Sequence, residues 1–106
     1  MTGLAVAENT ANLDRQQTKY VVMTTDSGQV KSVPGIVYSV TMLATNSNAW
    51  IAVYDQASGI GSGNPKIEIG EATSGNSSKK DIQNGLNFYN GIKIEGANAN
   101  AIVYYY

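Results

Sequence analysis

Eight carboxylates carry nearly all the acid–base chemistry open to this chain: Glu8, Asp14, Asp26, Asp55, Glu68, Glu71, Asp81 and Glu95. There is no histidine, which removes the commonest general base and metal ligand. There is no cysteine, so disulfides, thiolate metal sites and sulfur nucleophiles are excluded. Acid–base catalysis by carboxylates needs a pair held close with divergent pKa values. Glu68 alternates with Lys66 and Glu95 with Lys93, the pattern of solvated strand faces. Asp55 is the lone carboxylate of its loop, where a calcium site needs several oxygen ligands. Gly59-Ile60-Gly61-Ser62-Gly63 lacks the Gly-Lys-Ser/Thr ending and following helix of a phosphate-binding loop; Asn64-Pro65 and a strand pattern follow, so it reads as a flexible loop. The expectation is a protein that is not an enzyme, with no cofactor and no metal.

Seven tyrosines and one tryptophan are notable in a chain of 106 residues. Trp50 and Tyr54 share a strand face, and one buried aromatic cluster accounts for both. The alternative is an exposed platform for sugar stacking, with the Gly59–Gly63 loop beside it. In the ending Tyr104-Tyr105-Tyr106, alternation puts Tyr104 and Tyr106 on one face and Tyr105 on the other. A strand aromatic on both sides is either core or a subunit contact, where a ring with a polar tip is favoured.

The elements that must hold these residues are strands. Thr18–Thr25 is β-branched and aromatic, Asp26-Ser27-Gly28 is a turn cluster, and Gln29–Val33 reads as a hairpin return. Ile36–Thr45 is the strongest strand, with Ile36, Tyr38, Val40, Met42 and Ala44 on a fully apolar face. Ala49–Asp55 is apolar on both faces and therefore central. Ile67 and Ile69 alternate inward between outward charges, as do Ile92 and Ile94. Asn84-Gly85 and Asn90-Gly91 are hairpin-turn signals, because a type I′ turn needs positive φ at both central residues. They bracket a short strand at 86–89. Gly96–Asn100 is a loop, and 101–106 is the last strand. About eight short strands with regular turn signals make the chain all-β: a small antiparallel β-sandwich of jelly-roll type.

Residues 1–17 lack the period-2 pattern and read as an extended N-terminal arm ahead of a β-sandwich domain over 18–106. The opening has no basic segment, and Glu8 interrupts the apolar Leu4–Ala7, so no secretory signal is read. No run approaches the roughly 18 apolar residues of a membrane helix. A net charge of −1 and the isolated Lys79-Lys80 give no basic field, so neither nucleic acid nor membrane is an expected partner.

The segments Val33-Pro34-Gly35-Ile36-Val37-Tyr38-Ser39-Val40, Tyr54-Asp55, Lys66-Ile67-Glu68-Ile69-Gly70-Glu71-Ala72, the two Asn-Gly pairs and Ala101-Ile102-Val103-Tyr104-Tyr105 resemble small tailed-phage virion proteins. The resemblance covers roughly residues 33–106. It implies a β-sandwich head decoration (cement) protein, or a fibre-associated one. The implied place is the capsid surface of a virion, after synthesis in the host cytoplasm. The implied partners are the major capsid protein and further copies of the chain in a homotrimer. Expected contacts are Thr2, Leu4, Val6, Leu13 and Arg15 of the arm with Ile102, Tyr104, Tyr105 and Tyr106 of the last strand. The alternative, a tail-fibre or tail-tip module binding host carbohydrate, would use Trp50 and Tyr54.

Overall fold

The computed structural model describes residues 19–23 and 27–106. The expected arm over 1–17 and its contacts Thr2, Leu4, Val6, Leu13 and Arg15 lie outside the described residues. Eight strands follow one another: β1 (Lys19–Met23), β2 (Ser27–Lys31), β3 (Gly35–Ala44), β4 (Ala49–Tyr54), β5 (Ile67–Glu71), β6 (Ser77–Phe88), β7 (Ile92–Ala97) and β8 (Ala99–Tyr105). They form two four-stranded sheets in the orders β1-β8-β3-β6 and β2-β7-β4-β5, antiparallel throughout. The two sheets pack as a small β-sandwich.

The chain stays within one sheet only between β4 and β5; every other connection crosses from one sheet to the other. The pairs β1·β8, β2·β7, β3·β6 and β4·β5 therefore nest inside one another. This corrects the expected hairpin of residues 18–25 with 29–33, because β2 pairs with β7 and not with β1. The β7–β8 crossing takes a single residue, Asn98, at φ 58°. Asparagine tolerates this left-handed conformation better than most side chains. The Asn98 carbonyl accepts from Thr45 N–H at 2.8 Å, and its amide donates to the Ser47 carbonyl at 3.2 Å. One residue thus both turns the chain and ties the β3–β4 corner to the β7–β8 corner. The expected loop at 96–100 shrinks to this residue.

Alternation holds where strands pair regularly. Ile67, Ile92 and Ile94 are buried, and Ile69 packs against the core. On β4, which is central as expected, Ala49, Ile51 and Val53 face inward. On β3 the pattern changes phase. Val40, Met42 and Ala44 are buried as expected, but Val37 is the inward residue at the start, in place of Ile36 and Tyr38. The reason is a bulge. Val37 pairs with Leu86 and Ser39 with Asp81, so residues 82–85 lie opposite Tyr38 alone. An irregularity of this kind shifts which side chains face the core.

Asn84 and Gly85 sit in that bulge at φ 67° and 79°. The pair adopts the positive φ values that its composition predicts, yet it reverses nothing: β6 pairs with β3 on both sides of it. The second pair, Asn90-Gly91, has no positive φ and forms the corner between β6 and β7, which lie in different sheets. Both expected hairpins are thus replaced, and the segment 86–89 belongs largely to the long β6. That strand is a sheet edge, and Lys79, Lys80, Asp81 and the bulge give it the charge and irregularity that discourage pairing with another chain.

Candidate functional site

Three regions collect the residues singled out by type. The first is the corner that Asp55 organises. Its carboxylate accepts from Tyr89 N–H at 2.9 Å, Asn90 N–H at 2.7 Å and Gly91 N–H at 3.3 Å. Lys66 Nζ stands 3.7 Å from it, donates to the Asn87 carbonyl at 2.6 Å and lies 4.7 Å from the Tyr89 ring centroid. Burial works to raise the Asp55 pKa, but the three N–H donors and the lysine outweigh it and hold the carboxyl below its ordinary value. Such a carboxylate is an internal cap for backbone donors. Gly91 is required here by space, since a Cβ would stand 2.6 Å from the Gln56 carbonyl and 2.7 Å from that of Lys31.

The second region is the outer face of the β2-β7-β4-β5 sheet. Trp50, Ala52 and Tyr54 point outward from β4. The expected buried cluster is not formed, because Trp50 is 43% exposed. Register explains the exposure. Trp50 lies between Gly70 of β5 and Ala97 of β7, neither large enough to cover an indole. Ala52 lies between Glu68 and Glu95, whose backbones are two strand spacings apart, about 9.5 Å. Tyr54 lies beside Lys93. The result is a shallow depression of about 340 Å³ lined by Trp50, Ala52, Tyr54, Glu68 and Gly70.

The Gly59–Gly63 segment, expected to be a flexible loop, is held against this face. Gln56 Nε2 donates to the carbonyls of Ser58 and Ile60 at 3.0 and 2.7 Å, and its Oε1 accepts from Ser62 N–H at 2.8 Å. Gly61 N–H donates to Glu95 Oε2 at 3.0 Å, and a Cβ on Gly61 would stand 2.5 Å from the Tyr54 ring. Tyr54 and Glu95 are therefore fixed by the loop, whereas Trp50 and Glu68 are open.

The third region is the outer face of the β1-β8-β3-β6 sheet. Tyr20 and Tyr104 are directly paired across β1 and β8, with ring centroids 5.8 Å apart. They are 65% and 41% exposed, and Leu43 is also exposed. The last strand divides its expected contacts. Tyr104 is on this outer face, Tyr105 packs against the core, and Tyr106 is exposed with Lys31 Nζ 5.4 Å from its ring centroid. Ile102 is half-buried and pairs with Thr41. Tyr105 is partly buried, so less of it is open to a contact than of Tyr104 or Tyr106. Tyr20 had no distinguishing mark in the sequence, because its importance comes from a partner 84 positions away along the chain.

Among the described residues, no group of three or more His, Cys, Asp or Glu could hold a metal ion. Glu71 is spent locally: its carboxylate accepts from Asn76 and Ser78 side chains and from Thr73 N–H. No family model, curated protein or solved structure matches this chain.

Proposed function

We propose that this protein is a head decoration protein of a tailed phage, docking on the outer surface of an assembled capsid. The observation that carries this reading is the paired, exposed Tyr20–Tyr104 surface on a sheet whose other face is already committed to the core. Rings with a polar tip are favoured where a surface is covered by another protein. We read the nested strand order as that of a jelly roll, a fold used by viral shell proteins, though fold alone does not assign a role. The resemblance of residues 33–106 to small virion proteins supports the same reading.

The action is mechanical. A module that touches several capsid subunits at once binds the assembled lattice better than free subunits, and that difference stabilises the shell. Assembly as a trimer would place three such surfaces around one lattice axis. The test is copy number. Particles from the source that encodes the chain are purified, and its amount is measured by mass spectrometry against the major capsid protein. A ratio near one to one is expected. A handful of copies per particle would move the protein to a fibre or tail, and absence would end the virion reading.

A further inference from the structure

The outer face of the other sheet carries a separate inference. We infer that the depression between Trp50 and Tyr54 binds a neutral oligosaccharide, independently of shell docking. Both aromatic side chains come from β4, four residues apart on one face, so they stand about 13 Å apart along the strand. Ala52 between them is almost fully covered, so the open part of the depression lies beside Trp50, over Gly70. The apolar C–H face of a pyranose stacks on an exposed ring, while its hydroxyls need acceptors. Glu68 supplies one within the lining, and Glu95 borders the opposite side of Ala52, its Oε2 already accepting from Gly61 N–H.

The charges select among ligands. A carboxylate beside aromatic rings also suits a quaternary ammonium ion. Such an ion requires rings closing around one point, whereas these rings sit at the two ends of a trough and Lys93 flanks the Tyr54 end. An anionic sugar meets Glu68 and Glu95. A neutral, extended, hydroxyl-rich chain meets neither objection. The Tyr54 ring is already held in place, because Gln56 and Glu95 fix the 58–62 segment and Gly61 packs against that ring. Binding therefore requires little ordering of the protein.

Trp50 is the only tryptophan, so its emission reports this site alone. The full chain is titrated with neutral hexasaccharides of glucose, mannose, galactose and xylose, with trimethyllysine as the cationic probe. A saturable shift of Trp50 emission by at least one hexasaccharide is expected, confirmed by calorimetry. Trp50→Ala should weaken calorimetric binding about tenfold or more, Trp50→Phe less, and Glu68→Gln several-fold, about 1 kcal/mol being a factor of five. Tyr104→Ala should leave it unchanged. Far-ultraviolet circular dichroism verifies that each variant is folded. No response to any hexasaccharide at millimolar concentration overturns the inference, as does a response to trimethyllysine alone or sugar binding that survives Trp50→Ala. Blue emission that turns red when residues 2–17 are removed would assign this face to the chain's own N-terminal segment and equally overturn it.

Discussion

Asp55 and Asn90 stand 35 residues apart in the chain, and the Asn90 N–H donates to Asp55 Oδ1 at 2.7 Å. With Tyr89 and Gly91 donating to the same carboxylate, one side chain at the end of β4 closes the corner between β6 and β7. This corner joins the two sheets, so its cap contributes to how the layers are held and not merely to a local turn.

Replacing Asp55 by Ala should cost about 2 kcal/mol, the range for hydrogen bonds to a charged group. Differential scanning calorimetry should show a Tm lower by roughly 10 °C for a domain of this size. Asp55→Asn keeps one acceptor but turns an amide N–H2 toward donors, and should fall between. The pH dependence has a definite sign. The folded carboxyl has a depressed pKa, so its stabilisation is fully present above the unfolded value near 3.9 and is lost as pH falls through the lower folded value. The acid limb of the wild-type stability curve should therefore be steeper than that of Asp55→Asn. Parallel limbs would remove Asp55 from this role.

Glycines in this chain are needed for different reasons, and alanine scanning should separate them. Gly63 has φ +74° with nothing near a Cβ, so Gly63→Ala should cost only the left-handed strain, about 1 kcal/mol. Gly85 has φ +79°, and an added Cβ would run into Ile36 and the Tyr38 ring, so Gly85→Ala should cost about 2 kcal/mol or more. Gly91 has ordinary φ but is surrounded by backbone, which cannot swing aside. Urea denaturation should rank the three losses Gly63, then Gly85, then Gly91. An Ala at 91 as harmless as at 63 would contradict the packing of that corner.

These residues also show how far the sequence was legible. Strand positions were readable because alternation is local: Ile67 and Ile69, and Ile92 and Ile94, lie where their pattern places them. Pairing was not readable, because no local feature distinguishes β7 from β1 as the partner of β2. Asn84-Gly85 shows the boundary between the two. Its backbone preference is obeyed, but whether positive φ makes a hairpin or a bulge depends on β3, more than forty residues earlier. Trp50 failed for a similar reason. Its exposure follows from Gly70 and Ala97 being its lateral neighbours, which only the register reveals.

Among the described residues the core runs from Val37 to Val103, with Val30 and Tyr105 packed against it. If that core stands on its own, deleting residues 2–17 should leave the stability within about 0.5 kcal/mol of wild type. If the arm is a capsid contact, the same deletion should abolish occupancy of purified shells. Undiminished occupancy would end that role, and a large loss of stability would show that the arm belongs to the fold.

Tyr20 and Tyr104 separate stability from docking most directly. They form a cross-strand aromatic pair on an exposed face, so each Ala substitution should cost about 1 kcal/mol or less, with a coupling of about 0.5 kcal/mol in a double-mutant cycle. A contact surface behaves differently, since truncating a buried aromatic anchor commonly costs about 2 kcal/mol or more of binding. The double variant should therefore remain folded at working temperature and bind shells at least thirtyfold more weakly. Binding measured by co-sedimentation with undecorated capsids decides the matter. Equal binding by the double variant would leave the Tyr20–Tyr104 pair as a strand clasp alone, and would move the docking surface to Tyr106 and the arm.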